Sequence, residues 1–230
     1  MDVTKSLAIV TGAGKGIGLA VTQALLQAGA RVAGWSRSPM VLQHPRFRFY
    51  QTDVRHVASV EKAYQQTVGD FGTAPTILIN NAGLGYEAKA EDLSLDQWHD
   101  MFGTNVNGLF YATRVALPAM KRAGEAHIVN ISSVAGTTGI PGMAGYCATK
   151  YAVRGFSNAL FKEVRADGVK VTCIYPGSVN THFFDRIDSV TASDQMMDPA
   201  DVAATILHCL QSPANYLPVD IEIRPLKLKG

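Results

Sequence analysis

The chain has 230 residues, 47% of them hydrophobic, with 21 basic against 19 acidic side chains and 21 glycines. This balance excludes disordered, fibrous and disulfide-dense classes, and a net charge of +2 with no basic run gives no footprint for nucleic acid or an anionic membrane. A chain this long buries about 70% of its surface on folding, enough for one sizeable core, and the near-neutral charge leaves a small molecule as the expected partner.

Short apolar runs alternate with helix-length amphipathic stretches, the pattern of a parallel sheet covered on both faces. Strands are expected at Leu7 to Thr11, Arg31 to Ser36, Arg46 to Thr52, Thr76 to Asn80, His127 to Ser132, Val169 to Tyr175 and Val219 to Arg224. Helices are expected at Ile17 to Ala28, Val57 to Phe71, Val106 to Arg122, Gly145 to Ala166 and Pro199 to Gln211, the last capped by Asp198 with Pro199 in its first turn. About ten residues separate the second and third strands, so the crossover there is a turn through Ser38-Pro39 and His44-Pro45 and not a helix. No linker, repeat or low-complexity tract interrupts the pattern, which makes residues 1–230 one α/β domain, a doubly wound parallel sheet of about seven strands.

Cys147, Cys173 and Cys209 are odd in number and lie in apolar or helical contexts, which fits a reducing cytoplasm. The first apolar run, only five residues long, is too short for a signal core or a membrane span. His44, His56, His99, His127, His182 and His208 lack metal-ligand spacing, so no metal is expected. Gly155-Phe156-Ser157-Asn158-Ala159 imitates a nucleophile elbow but falls inside a helix with no strand before it, which argues against a serine hydrolase. Asn130-Ile131-Ser132 has the form of a glycosylation acceptor inside an expected buried strand.

After the first strand the chain reads Thr11-Gly12-Ala13-Gly14-Lys15-Gly16-Ile17-Gly18 and then enters a helix. Glycines let a backbone turn tightly and approach a pyrophosphate, whose charge faces the free N–H groups of the helix start. The spacing G-x-x-x-G-x-G departs from G-x-G-x-x-G, and no Gly-Lys-Ser/Thr follows, so this is no Walker A loop.

Further along stand Asp53-Val54, Asn80-Asn81-Ala82-Gly83, Asn105 in Asn-Val-Asn-Gly, Ser133 in Ile-Ser-Ser-Val-Ala-Gly, Tyr146-x-x-x-Lys150, and Pro176-Gly177-Ser178-Val179-Asn180-Thr181. With the glycine loop, these ordered motifs resemble the short-chain dehydrogenase/reductase family over essentially the whole chain. The resemblance implies a Rossmann-like fold and hydride transfer between a nicotinamide cofactor and an alcohol/carbonyl pair. It implies a tetrad of Asn105, Ser133, Tyr146 and Lys150, with Asn105 holding a water between Lys150 and solvent. It further implies a homotetramer or homodimer paired through the helices that start at Val106 and Gly145.

The residue chemistry agrees. Carbonyl reduction needs an acid to protonate the oxygen as charge develops on it. Tyr146 can serve, and Lys150, one helical turn on, shares its face. An ammonium about 4 to 5 Å away lowers a phenol pKa by roughly two to three units at an effective dielectric of ~20. Ser133, just past a strand end, is placed to hydrogen-bond the substrate oxygen.

Each motif also has a bland reading: a half-buried tyrosine with a solvated lysine, serines ending a strand, Asn105 as a helix N-cap, or Asp53 capping the next helix instead of meeting an adenine amine. Cofactor contacts are expected from Gly12, Gly14, Lys15, Gly16, Ile17, Gly18, Ser36, Arg37, Asp53, Val54, Asn80, Ala82, Gly83, Tyr146, Lys150, Pro176, Gly177, Val179 and Thr181. The second strand ends Gly34-Trp35-Ser36-Arg37 without the acid that an NAD-specific site uses, and Arg37 and Lys15 suit a 2′-phosphate, so NADP(H) is expected. Pocket walls are expected at Leu84 to Tyr86, Gly136 to Met143 and Asn180 to Met197, including His182 and Arg186, with 178–198 as a mobile lid. The rival to an enzyme is a dinucleotide sensor or scaffold of the same fold that has lost turnover.

Overall fold

The structure, a computed structural model, describes residues 1–181, 183, 193 and 195–226. Seven strands form one sheet: β1 (Leu7–Thr11), β2 (Arg31–Ser36), β3 (Phe47–Gln51), β4 (Ile77–Asn80), β5 (Ala126–Ile131), β6 (Val169–Pro176) and β7 (Asp220–Ile223). They lie in the order β3-β2-β1-β4-β5-β6-β7, and every pairing is parallel. The order reverses between β1 and β4, and a doubly wound sheet leaves a crevice at such a switch point.

Helices cover both faces. On one, α1 (Gly16–Gln27) and α6 (Pro199–Gln211) bury Val21, Leu25, Val202 and Ile206 against Val10, Val32 and Ile79. On the other, α2 (Val57–Phe71), α4 (Gly108–Ala123) and α5 (Ala144–Val164) bury Val60, Ala112, Ala116 and Leu160 against Ile9, Leu78 and Ile128. β1, β4 and β5 are therefore buried along their whole length, which is why they read as continuous apolar runs.

Expected elements fall within one or two residues of their positions, and β2 reaches β3 through residues 37–46 without a helix. One helix was not expected, α3 (Leu95–Phe102). Its N-terminus carries a capping box: Ser94 Oγ accepts from the Gln97 amide at 3.2 Å, and Gln97 Oε1 accepts from the Ser94 amide at 3.2 Å. The helix expected to begin at Val106 instead continues from α3 through a π turn at Gly103–Asn107 into α4. The π turn supplies the local irregularity at Asn105, a way of turning one side chain inward without ending the helix.

The lid expected over 178–198 lies largely outside the described residues, as do His182 and Arg186. Its two ends are joined: Val179 bridges Met197, with the Asn180 amide donating to Met197 O at 2.9 Å and the Met197 amide to Ser178 O at 3.1 Å. All three cysteines are buried and unpaired, and among the described residues no helix is long and apolar enough to cross a membrane.

Candidate active site

A cleft of about 470 Å³ runs along the carboxyl ends of the strands from β3 to β6. Its floor at the switch point is the glycine turn. Gly12 and Gly16 have φ of 66° and 52°, in the left-handed region that favours glycine. A Cβ on Gly12 would stand 2.9 Å from Ala82 Cα, and one on Gly14 3.1 Å from Ser36 Oγ. Gly18 does not line the cleft; a Cβ there would overlap the Gly12 carbonyl oxygen, so it lets α1 pack against the turn. Lys15, the N-cap of α1, offers no side-chain cap, and Gly16 and Ile17 line the cleft, so the first-turn N–H groups face it.

Asn80, among the expected cofactor contacts, sits behind the cleft wall. Its side chain turns into the core, where Nδ2 donates to Asn130 Oδ1 at 2.8 Å and Thr113 Oγ1 at 3.0 Å, and it takes no part in the cleft wall. The neighbouring Asn81, part of the same motif but not expected as a contact, holds the turn: its Nδ2 donates to Thr11 O at 2.9 Å and Gly12 O at 3.2 Å. Thr11 Oγ1 accepts from the Asn81 and Ala82 amides at 3.0 Å each, tying β1 to β4.

At the β2 end Ser36 Oγ donates to Ser38 O at 2.6 Å, and the Arg37 and Lys15 side chains are exposed with no ion pair recorded among the described residues. Asp53 and Val54 line the cleft beside them. Asp53 does not cap α2. Its carboxylate is clasped by Arg55, with Nη2 at 2.6 Å and Nε at 3.0 and 3.1 Å, and this guanidinium holds the acid below its usual pKa. At the far end Gly177, Val179 and Thr181 line the wall after β6, with Thr181 facing Gly16.

The tetrad residues gather in the middle. Tyr146 and Lys150, on α5, are 7% and 5% exposed. Ser133 follows β5, and its hydroxyl accepts from the Ala135 amide at 3.2 Å, capping a short 3-10 turn while also facing the Tyr146 phenol. Asn105, though outside the cleft wall, completes the cluster. Its Oδ1 accepts from the Leu84 amide at 2.9 Å, and its Nδ2 donates to Leu84 O at 2.8 Å and Thr149 Oγ1 at 2.9 Å. The amide is thus committed to the loop after β4 and to α5, and Asn105 is not an N-cap.

The electrostatics differ from the expectation drawn from Tyr-x-x-x-Lys spacing. Lys150 Nζ donates to Ile131 O at 2.9 Å and stands 5.6 Å from the Tyr146 ring centroid. Burial pushes the phenol above its usual pKa and Ser133 draws it back, while burial pushes the Lys150 ammonium down to about 8. Desolvation outweighs the attraction that sequence spacing suggested.

Beyond Tyr146 the cleft is walled by Leu84, Gly85, Glu87, Ile140, Pro141, Met143 and Phe183. The Phe183 ring lies 5.2 Å from that of Tyr146. Two residues here were not expected: Glu87, and Thr104, whose hydroxyl is buried on the wall with no hydrogen-bond partner. Neither carries a motif signal, since both reach the cleft by tertiary packing.

A crevice at the switch point of a parallel sheet, floored by a glycine turn in which a Cβ on Gly12 would meet the Ala82 backbone, defines an α/β protein of the doubly wound, Rossmann-like class. The family model for short chain dehydrogenase matches residues 6–191. An uncharacterised oxidoreductase of Staphylococcus aureus (strain MW2) is 35% identical over 97% of this chain and 99% of its own. Escherichia coli serine dehydrogenase superposes with a TM-score of 0.86 at 31% identity, over 97% of this chain and all of its own (100%). An alcohol dehydrogenase from Thermococcus sibiricus, complexed with 5-hydroxy-NADP, gives 0.85 at 25% identity over 98% of both chains. The chain belongs to the short-chain dehydrogenase family and is an oxidoreductase of that family.

Proposed function

We propose that the protein transfers hydride between NADP(H) and a carbonyl or secondary alcohol substrate of modest size and mainly apolar character. The observation that carries this reading is the convergence of the Tyr146 phenol, the Ser133 hydroxyl and the Lys150 ammonium on a cleft whose other end is the glycine turn. When bound, the nicotinamide supplies or accepts the hydride. Gly12, Gly14, Gly16, Ile17, Ala82 and Gly83 would hold the dinucleotide by close backbone approach, with Pro176, Gly177, Val179 and Thr181 on its nicotinamide side.

Tyr146 gives its phenolic proton to the substrate oxygen in reduction and takes it back in oxidation. Ser133, whose one hydroxyl proton points to Pro176 O at 3.4 Å, turns it to the substrate oxygen when that oxygen is present, and to the phenol otherwise, where it opposes the effect of burial. Lys150 holds a positive charge beside both, anchored on Ile131 O. Asn105 acts through its clamp on Leu84 and Thr149, fixing the substrate wall to α5 one residue before Lys150. The apolar wall of Leu84, Ile140, Pro141, Met143 and Phe183 excludes water from the reacting carbon.

For the cofactor, Ser36 leaves the end of β2 without a carboxylate, and the exposed Arg37 and Lys15 flank the place a 2′-phosphate would take. A serine dehydrogenase with a TM-score of 0.87 is complexed with NADP+, whereas a 3-ketoacyl-(acyl-carrier-protein) reductase from Brucella melitensis is complexed with NADH, so the choice rests on these local residues. The same reading assigns the protein to the cytoplasm, in keeping with three unpaired buried cysteines, and makes it a homodimer or homotetramer. Phe110 on α4 and Tyr151 on α5 are 46% and 44% exposed on the two helices expected to pair, and light scattering at micromolar concentration checks that pairing.

The test is NADPH oxidation with a panel of ketones and diketones. Turnover on members of the panel supports the enzyme. Tight NADPH binding without turnover on any of them identifies a sensor or scaffold instead.

A further inference from the structure

The guanidinium of Arg55, two residues past the Asp53 it clasps, serves a second carboxylate at the same time. Its Nη1 donates to Asp100 Oδ1 on α3 at 2.8 Å, and Asp100 Oδ2 accepts from the Tyr86 hydroxyl at 2.9 Å. Tyr86 stands between Gly85 and Glu87 on the substrate wall and packs in the cluster that contains Leu84, Met143 and Tyr146. The Arg55 stem lies over Gly103, where the π turn carrying Asn105 begins; a Cβ on Gly103 would stand 3.6 Å from Arg55 Cγ. A continuous chain of polar contacts therefore runs from the β3 end of the cleft, through Asp53, Arg55, Asp100 and Tyr86, to the wall beside the phenol. The three charged side chains are 20 to 35% exposed, where bidentate, charge-assisted bonds are geometrically specific.

We propose that Arg55 is a positioning residue that couples occupation of the adenine end of the cleft to the order of the substrate wall at residues 84–88, by way of Asp100 and Tyr86. The proposal rests on the dinucleotide reading above. Asp53 already accepts from the Arg55 amide, Nε and Nη2, and His56 Nε2 stands 3.9 Å away. A donor arriving at that carboxylate, such as an adenine amine, must share lone pairs that Arg55 holds. The guanidinium then bears more strongly on Asp100, which fixes the Tyr86 hydroxyl and with it the wall. Only a planar fork bridges two carboxylates in this way; a lysine ammonium at Arg55 meets one of them. The coupling is reciprocal, so an ordered wall favours the adenine end in turn.

The test is hydrogen exchange with adenosine 2′,5′-bisphosphate and, in parallel, ADP, probes that end short of the nicotinamide site. At saturation of the glycine turn, residues 84–88 of the wild type should exchange about threefold or more slowly, although neither probe touches them. Tyr86→Phe removes one hydroxyl at the far end of the chain, and Arg55→Lys replaces the fork. Both should keep the protection of residues 12–18 and lose that of 84–88. Protection of 12–18 with no change at 84–88 in the wild type overturns the coupling, and so does undiminished protection at 84–88 in Tyr86→Phe. If neither probe protects 12–18, the dinucleotide reading itself fails and the coupling falls with it.

Discussion

The Lys150 ammonium does not hydrogen-bond the Tyr146 phenol; it donates 2.9 Å to the Ile131 carbonyl and stands 5.6 Å from the tyrosine ring centroid. The group that lowers the phenol is Ser133, working against burial. Ser133→Ala removes that support, so the phenol pKa rises further. In alcohol oxidation, where the phenolate is the base, the pH at half-maximal rate should move upward and kcat should fall by about 10²-fold or more. A pH–rate profile of oxidation checks both, and an unmoved half-maximal pH would remove Ser133 from this role.

Lys150→Met should lose both rate and NADPH affinity, since the ammonium faces the phenol and the cofactor side of the cleft alike; an unchanged NADPH dissociation constant would refute the second role. The same variant reports on stability. Burial lowers the Lys150 pKa from 10.5 to about 8, so across that window the unfolded chain binds the extra proton. The cost of burying the charge is present below about pH 8 and relieved as pH rises toward 10.5. Urea unfolding of wild type against the variant at pH 7.5 and 10 should show the wild type gaining on the order of 1 to 3 kcal/mol.

His127 on β5 sits fully buried, its Nε2 2.8 Å from Thr172 Oγ1. Thr172 gives its proton to Pro218 O at 2.7 Å, so the neutral imidazole donates from Nε2. Burial lowers the His127 pKa from 6.5 to about 3, with Lys170 adding to the effect. The unfolded chain takes up the proton first as pH falls below 6.5, and this residue destabilises the fold by up to about 1.4 kcal/mol per pH unit across that window. Denaturation of His127→Gln between pH 6.5 and 4 should show a shallower loss than wild type. An identical slope would mean that the imidazole titrates normally.

The sequence motifs placed the glycine turn, Ser133, Tyr146 and Lys150 on one cleft because each is a local pattern at a strand end or on one helix face. Consecutive residues at the end of a buried strand face opposite sides, and the motif alone does not say that Asn80 turns inward while Asn81 holds the turn. The α3 start does carry a signal in the chain, the capping-box pattern Ser94-x-x-Gln97. Pairings such as Arg55 with Asp100, 45 residues apart, and Asn105 with Thr149, 44 apart, come from packing and leave no local signature. The Tyr146 environment is set in the same way, since desolvation depends on neighbours that spacing does not reveal.

On the proposed NADP(H) reading, Ser36 and Arg37 set the cofactor preference. We expect the wild type to favour NADPH by at least about tenfold in kcat/KM, from one or two charge-assisted bonds of roughly 1.5 to 3 kcal/mol each. Ser36→Asp combined with Arg37→Gln should reverse the order, because the new carboxylate accepts from both ribose hydroxyls and repels a 2′-phosphate. A wild type that prefers NADH would overturn the roles of Arg37 and Lys15.

The most direct measurement is the comparison of wild type with Tyr146→Phe on a ketone that the wild type reduces, recording NADPH binding by fluorescence alongside the rate of its oxidation. Removal of one hydroxyl takes away the transferable proton and leaves the ring in place against Phe183. The variant should bind NADPH with a dissociation constant within about threefold of wild type and turn over at least about 10³-fold more slowly. A variant that retains more than about a tenth of the wild-type rate would contradict the assignment of Tyr146 as the acid.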